Sequence, residues 1–335
     1  MQHAFLDYVL FLAKTLTWLA AVAMLLILVA AVRRQRSSEG HFELRQLNDR
    51  YADYRQQLQI ELLDEKAYKA WARERKREAK ERQQQERKRA FVLRFDGDMR
   101  ASAVAHLREE ITALLSVAQA GQDQVVLCLE SPGGVVHGYG LAASQLHRLR
   151  QAGLQLTVCV DKVAASGGYM MAAVADRIVA APFAVIGSIG VVAQLPNLHR
   201  FLQKHEVDIE LHTAGAYKRT LTLLGENTEE GRAKFKEELE STHVLFKSFV
   251  AEHRPVLDLD KVATGEHWFA RQALELHLVD ELATSDHWIS ALCADHQVYE
   301  LSYKLPKPWM NRLGVASAQA LSALIDRLAS VRFIP

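Results

Sequence analysis

The stretch Gln124-Val-Val-Leu-Cys-Leu-Glu130 is nearly all apolar, and the turn Ser131-Pro-Gly-Gly134 follows it directly. An apolar run of this length, ended by a turn, is typical of a strand buried on both faces of a parallel sheet. Strands and amphipathic helices alternate around it, in the order Phe91–Phe95, Ser102–Gln119, Val135–Gln151 and Leu154–Val160. The alternation predicts βαβ units and an α/β fold with a mostly parallel sheet.

The alternation is predicted to continue beyond the third strand. Strands are expected at Ile189–Gln194 and Val207–Thr213, with a helix at Asn197–Glu206 between them. A long helix is expected over Thr228–Arg254, capped by the Thr228 side chain.

Three glycine-bearing turns follow predicted strands: Ser131–Gly134, Ala165–Tyr169 and Ile186–Gly190. Ligand sites in parallel sheets form at the carboxyl ends of the strands, so these turns are expected to gather at one edge. Ser166 stands in the second turn, just before a predicted short helix. It is either an N-cap or a nucleophile served by backbone amides that could bind an oxyanion.

A serine nucleophile needs a base, and no histidine is placed by a motif relative to Ser166. Lysine is the alternative, since desolvation can lower the pKa of an amine enough for it to accept a proton. Lys218 lies in the stretch Thr213–Thr220, after the strand predicted at Val207–Thr213. Sequence alone does not distinguish it from a solvated surface lysine.

The N-terminal stretch Ala4–Val32 is strongly apolar, and its continuous part is Leu16–Val32. With the preceding turn it is long enough to span a bilayer, which needs about 20 residues. This apolar core is longer than that of a typical signal peptide and runs straight into Arg33 and Arg34, which favours an uncleaved anchor over a signal peptide. A buried core helix is disfavoured because Ala20–Val32 has no polar face. The same arginines favour a cytoplasmic position for the rest of the chain.

Residues 37–89 are highly charged, with 14 Lys or Arg and 11 Asp or Glu. Mixed charges without proline are typical of a solvated helix with many i,i+4 pairs. A helical spacer is therefore expected, and an oligomerising helix or a basic segment at a membrane surface are the alternatives. The predicted divisions are an anchor at 1–36, the spacer at 37–89, an α/β domain at 90–300 and an amphipathic helix at 301–335.

The composition excludes some classes of function. A formal net charge of +1 over 335 residues gives no global field for nucleic acid. The three cysteines, Cys128, Cys159 and Cys293, have no metal-site spacing, and buried free thiols are expected.

Five short motifs resemble the signal peptide peptidase A family of bacterial serine proteases, and within it the SohB-type members. They are SPGG (Ser131–Gly134), AASGGY (Ala164–Tyr169), IGSIGV (Ile186–Val191), AGAYKRT (Ala214–Thr220) and ALELHLVDEL (Ala273–Leu282). The resemblance implies a ClpP/crotonase-like spiral and a homo-oligomer. It also implies a bacterial inner-membrane location, with the catalytic domain outside the cytoplasm, which conflicts with Arg33 and Arg34 and leaves the side open.

The resemblance also implies roles for individual residues. Ser166 would be the nucleophile, Lys218 the general base and Ser188 the residue that orients the lysine. Gly133 and Gly167 would supply the oxyanion amides. The implied reaction is hydrolysis of peptides, such as signal-peptide remnants or membrane-associated proteins, through an acyl-enzyme and without a metal or organic cofactor.

Two departures from the family pattern are visible. His277 stands where glycine is common, and Met170 and Met171 follow the ASGGY motif in place of bulkier aromatic residues. Neither removes a catalytic group. The alternatives are a crotonase-like acyl-CoA enzyme and a non-catalytic membrane scaffold.

Overall fold

The computed structural model describes residues 10–11, 14–19, 21–22, 24, 40–83, 88–215 and 217–305. The chain divides into two compact units, Glu43–Ser302 and a second made of Met1–Phe42 with Tyr303–Pro335. In the second unit, the backbone N–H of Gly40 donates to the Tyr303 hydroxyl at 3.1 Å.

The predicted membrane anchor falls mostly outside the described residues, as does the predicted C-terminal helix beyond residue 305. Where the structure does describe the chain, none of its helices combines the length and the hydropathy that crossing a membrane requires.

The described strands and helices follow one another along the chain. The strands are β1 (His41–Gln46), β2 (Arg89–Asp96), β3 (Gln124–Glu130), β4 (Gln155–Val160), β5 (Val163–Ala165), β6 (Arg177–Ala180), β7 (Val185–Gly187), β8 (His267–Phe269), β9 (Glu281–Leu282) and β10 (Gln297–Lys304). The helices are α1 (Leu47–Leu62), α2 (Glu65–Gln83), α3 (Val104–Leu115), α4 (Val136–Gln151), α5 (Gly167–Ala173), α6 (His199–Lys204), α7 (Glu229–His253), α8 (Leu259–Val262), α9 (Ala270–Glu275) and α10 (Ser285–Asp295).

The main sheet has the strand order β1-β10-β2-β3-β4-β6-β9. All of its pairings from β10 to β9 are parallel, which confirms the predicted parallel α/β architecture. A small second sheet has the order β5-β7-β8, in which β5 and β7 are parallel and β7 and β8 antiparallel.

Alternating residues of each central strand pack into different layers. Leu93 and Leu127 belong to the larger core cluster, which includes residues of α3, α4 and α5, whereas Val92 and Val126 pack with Leu47 of α1 in a smaller one. Covering both faces of β2 and β3 explains why Gln124–Glu130 needs no polar face.

The three cysteines are free, and Cys159 is buried. Burial raises the pKa of the Cys128 thiol to about 11, so this thiol stays protonated and unreactive at neutral pH.

Several local expectations are corrected by the structure. Ile189–Gln194 and Val207–Thr213 have no regular secondary structure, so the two predicted strands are wrong. Ile189 is buried in the core, but Val192 is 92% exposed and Val207, Ile209 and Leu211 are also exposed. Neither segment pairs with a described strand. The charged segment is helical over α1 and α2, but it begins with strand β1, and β10 runs across the predicted boundary at residue 300.

The long helix α7 begins as predicted, since the Thr228 hydroxyl accepts a hydrogen bond from the Gly231 N–H at 3.0 Å. Its C-terminal end is fixed by Arg254, which is 5% exposed. The guanidinium donates to both carboxylate oxygens of Asp280, at 2.9 and 3.0 Å, and to the His277 carbonyl at 2.7 Å. This buried ion pair joins α7 to the turn that precedes β9.

His277 has a φ of 61° in that turn, a left-handed conformation that favours glycine. We therefore expect His277→Gly to raise the free energy of unfolding by about 0.5–1 kcal/mol, because relief of backbone strain exceeds the added entropy of the unfolded chain. Chemical denaturation measures this change in the free energy of unfolding. His277→Ala is the control, since it removes the imidazole and keeps the strain, and an equal gain from both variants would contradict the explanation.

Candidate active site

Strand β5 brings the three predicted turns together. Ser131, directly after β3, forms a parallel bridge with Ala164 of β5. On the other side of β5, Ala165 pairs with Gly187 of β7. The next residue, Ser166, donates its backbone N–H to the Gly187 carbonyl at 2.8 Å. The ends of β3, β5 and β7 therefore meet around Ser166.

Ser166 has an unusual backbone conformation, with φ 53° and ψ −119°. An N-cap residue is normally extended and uses its side chain to accept a hydrogen bond from the first helical turn. The Ser166 side chain makes no such bond to α5 and is partly accessible. The geometry therefore disfavours the N-cap interpretation. Left-handed non-glycine residues of this kind are strained and cluster at functional sites.

Gly133 approaches Ser166 closely. A Cβ atom added at Gly133 would lie 2.7 Å from the Ser166 Cβ and 2.8 Å from the Ala165 carbonyl oxygen. The φ of Gly133 is 91°, which also requires glycine. Gly167 is the first residue of α5, so its N–H has no acceptor within the helix. Both glycines predicted to bind an oxyanion therefore lie beside Ser166.

Tyr139 of α4 contacts Gly167 through its ring and Ser131 through its hydroxyl. Its ring packs against Gly167, where an added Cβ would lie 2.4 Å from the Tyr139 Cγ. Its hydroxyl donates to the Asp98 carbonyl at 2.8 Å and lies 2.6 Å from Ser131 Oγ. Because the single phenolic proton goes to Asp98, Ser131 must donate to Tyr139.

Ser131 Oγ also accepts the backbone N–H of Gly133 at 3.1 Å. The chain of hydrogen bonds thus runs from Gly133 through Ser131 and Tyr139 to Asp98. Ser131 and Tyr139 are fully buried, and burial raises the pKa of the Tyr139 phenol. The network stays neutral at physiological pH and satisfies the Gly133 N–H.

Ser188 follows β7 and lies one residue from the Gly187 carbonyl that Ser166 contacts. Its backbone N–H donates to the Glu266 carbonyl at 2.6 Å, and its φ is 51°. Ser166, Gly133, Gly167 and Ser188 are therefore brought to one place.

Lys218 is not joined to these four residues by a hydrogen bond that the structure describes. It is exposed, in the irregular stretch that precedes α7, and its backbone N–H donates to the Gly215 carbonyl at 3.2 Å. Within the described parts of the chain, its amine makes no hydrogen bond to Ser166 or Ser188.

Comparisons with known proteins indicate the family of the chain. Residues 3–146 match the family described as Peptidase family S49 N-terminal, and residues 148–299 match Peptidase family S49. The chain belongs to peptidase family S49. It is 48% identical to a "Probable protease SohB" of Haemophilus influenzae, over 96% of each chain. It is 46% identical to a protein of the same name from Buchnera aphidicola subsp. Acyrthosiphon pisum, over 98% of each.

A solved structure of a mutant form of a "1510-N membrane-bound stomatin-specific protease" is 12% identical and covers 62% of this chain and 85% of its own, with a TM-score of 0.41. We draw nothing from a similarity at that level. Membership of peptidase family S49 rests on the two sequence matches and on the SohB-named relatives.

Sequence reasoning missed the hydrogen-bond chain through Tyr139 in this S49 peptidase. Tyr139 is the one large aromatic residue of α4, and the buried positions near it in the helix include the small residues Gly138, Ala142 and Ala143. That contrast was the available signal. Asp98 and Glu266 act through backbone carbonyls, which no side-chain motif reveals.

The close approach of Gly133 to Ser166 predicts a specific instability. Gly133→Ala should lower the free energy of unfolding by about 1–3 kcal/mol more than Gly121→Ala, because backbone atoms cannot move aside as easily as side chains. Gly121 also has a positive φ, 72°, but its added Cβ would meet nothing within 4 Å. Denaturant titration measures both variants, and equal losses would show that only φ strain matters.

Proposed function

We propose that the chain is a membrane-anchored serine endopeptidase in which Ser166 is the nucleophile and Lys218 the general base. The observation that supports it best is that Ser166 does not cap α5 through its side chain. It is held instead in a strained turn against Gly133, where three strand ends meet. Family membership favours peptide hydrolysis over acyl-CoA chemistry. A ClpP/crotonase-like fold is part of the proposal, and the parallel main sheet with a small second sheet supports it.

The proposed reaction is acyl transfer. Lys218 accepts the proton of the Ser166 hydroxyl as the oxygen attacks the peptide carbonyl. The amides of Gly133 and Gly167 hold the negative oxygen of the tetrahedral intermediate. Protonated Lys218 then donates to the leaving amine. Water attacks the acyl-enzyme, with Lys218 again accepting the proton. The bond to Ser166 Oγ then breaks, Lys218 returns the proton to that oxygen, and the second product leaves as a carboxylic acid. Ser188 orients the lysine amine, and no metal or organic cofactor takes part.

Gly133 must change partners during this reaction. At rest its N–H is satisfied by Ser131 Oγ at 3.1 Å. A hydrogen bond to an oxyanion is charge-assisted and roughly twice as strong as a neutral one, so the oxyanion competes successfully for this donor. Ser131 thus satisfies a buried N–H when no substrate is bound.

Lys218 is exposed in the single chain, and a lysine base requires desolvation. Assembly into a homo-oligomer would supply it. The segment between β7 and α7, which includes Lys218, carries exposed apolar side chains, among them Val192 at 92%, Phe201 at 60% and Leu211 at 53%. A cluster of exposed apolar residues marks an interaction surface. The lysine could then act in its own subunit or in a neighbouring one.

The proposed substrates are peptides in or near the membrane, such as signal-peptide remnants or segments of membrane-associated proteins. The proposed location is the bacterial inner membrane, with the apolar stretch Leu16–Val32 as a single N-terminal anchor. Relatives named as proteases in two bacteria support a bacterial peptidase.

The dyad is tested with the full chain in detergent. Ser166→Ala and Lys218→Ala should each lower kcat for a labelled signal peptide by at least about 10³-fold, because each removes a group that acts in every turnover. Lys204→Ala, an exposed lysine of α6, is the matched control and should keep the wild-type rate.

A fluorophosphonate probe should label the wild type but not Ser166→Ala, which separates a serine hydrolase from an acyl-CoA enzyme or a scaffold. Full activity of Lys218→Ala would show that another group is the base. Absence of labelling in the wild type would contradict the serine mechanism itself.

The assembly is tested separately. Phe201→Asp should reduce the molecular mass of the detergent-solubilised particle, because a charge would be buried without a partner at the proposed interface. Mass photometry measures it. Val117→Asp, in the turn after α3, is the control because Val117 is exposed, and it should leave the mass unchanged. A wild-type particle of one subunit would rule out the oligomer.

A further inference from the structure

Helix α2 has two faces of different character. Ala67, Tyr68, Trp71, Ala72 and Arg75 recur at helical spacing and are all partly buried. The rings of Tyr68 and Trp71 are 5.8 Å apart, and the Arg75 guanidinium lies over the Trp71 ring. This face is the inner face of α2.

The outer face of α2 carries a row of four cations. Lys66, Lys69, Arg73 and Lys76 are spaced by three, four and three residues and are all exposed. At about 1.5 Å per residue, the row is about 15 Å long and faces one direction. Of the acidic residues of α2 up to Arg77, Glu65 pairs with Lys69, and Glu74 pairs with Arg77 rather than with the row.

The row is held on an ordered helix. The Asp64 carboxylate accepts the Ala67 N–H at 2.8 Å at the start of α2. A side chain in this position stabilises the first turn. The four cations are therefore presented at fixed spacing, rather than spread over a flexible tail.

We propose that this cationic row binds the phosphate headgroups of an anionic lipid bilayer, with α2 lying along the surface. The cations and the negative surface are complementary in charge, and a basic segment close to a bilayer is attracted in proportion to its number of Lys and Arg residues. The proposal does not depend on the catalytic assignment.

Two observations favour a lipid surface over nucleic acid. Leu58 and Leu62, at the end of α1 next to the turn into α2, are 63% and 74% exposed. Aliphatic side chains beside a basic row suit the headgroup region of a bilayer. The apolar stretch that ends at Val32 also lies only eight residues before β1. If that stretch is the proposed membrane anchor, the eight-residue link spans at most about 3.6 Å per residue and brings β1 to the bilayer. The helices that follow β1, α1 and then α2, are thereby at high effective concentration near the surface.

The test uses the full chain reconstituted into lipid nanodiscs, read by hydrogen–deuterium exchange of the α2 amides. In discs containing about one-third phosphatidylglycerol, exchange in α2 should be about threefold slower than in discs of phosphatidylcholine alone. The slowing should vanish at about 1 M NaCl, where the Debye length is about 3 Å. Since both discs hold the N-terminal stretch equally, the difference isolates the effect of lipid charge.

The variant Lys66→Gln/Lys69→Gln/Arg73→Gln/Lys76→Gln should abolish the slowing, because glutamine keeps helix propensity and removes the charge. The matched control neutralises four exposed cations elsewhere, Arg108→Gln/Lys204→Gln/Lys236→Gln/Arg271→Gln, and should retain it. Circular dichroism checks the helix content of both. Equal exchange in the two wild-type discs would overturn the proposal. So would slowing by single-stranded RNA but not by phosphatidylglycerol, which would assign the row to nucleic acid.

Discussion

The hydrogen bond from the Ser166 N–H to the Gly187 carbonyl holds the site together. It fixes a serine in a left-handed conformation between two other strand ends, so that the side chain cannot cap α5 and its oxygen remains available. Strain of about 1–3 kcal/mol at such a residue persists only when its surroundings fix it on several sides. Here the bridge from Ser131 to β5 and the pairing of β5 with β7 fix the backbone next to Ser166 on two sides.

That arrangement depends in turn on the main sheet. β3 and β4 are parallel and covered on both faces, so their carboxyl ends are held at the same edge. β5 belongs to the second sheet, and Ser166, which follows it, lies beside Gly133. Tyr139 links the start of α5 to the turn after β3, because its ring packs against Gly167 and its hydroxyl is hydrogen-bonded to Ser131. One buried aromatic residue thereby positions both proposed oxyanion amides.

A single chain fixes some of the proposed site residues in place but leaves the proposed base exposed. The nucleophile and the two glycines are fixed by bonds within the unit Glu43–Ser302. Lys218 instead lies in an exposed stretch without regular structure, beside apolar side chains that no described element covers. The final environment of the proposed base would therefore depend on the proposed assembly. The cationic row of α2 is a second exposed surface of the same unit.

The sequence by itself determined the parallel α/β class, the three turns and the position of Ser166 just before a helix. Long apolar runs and glycine turns are local signals that report burial and backbone freedom directly. It misjudged Ile189–Gln194 and Val207–Thr213, since apolar β-branched residues predict a strand whether or not a neighbour is present to form the ladder. Only the tertiary structure decided that Ser166 is not a cap, that Gly133 touches it and that Ser131, Tyr139 and Asp98 form one chain of hydrogen bonds. Those contacts join residues that are distant in sequence, and several use backbone atoms, which every residue carries and no motif can therefore mark.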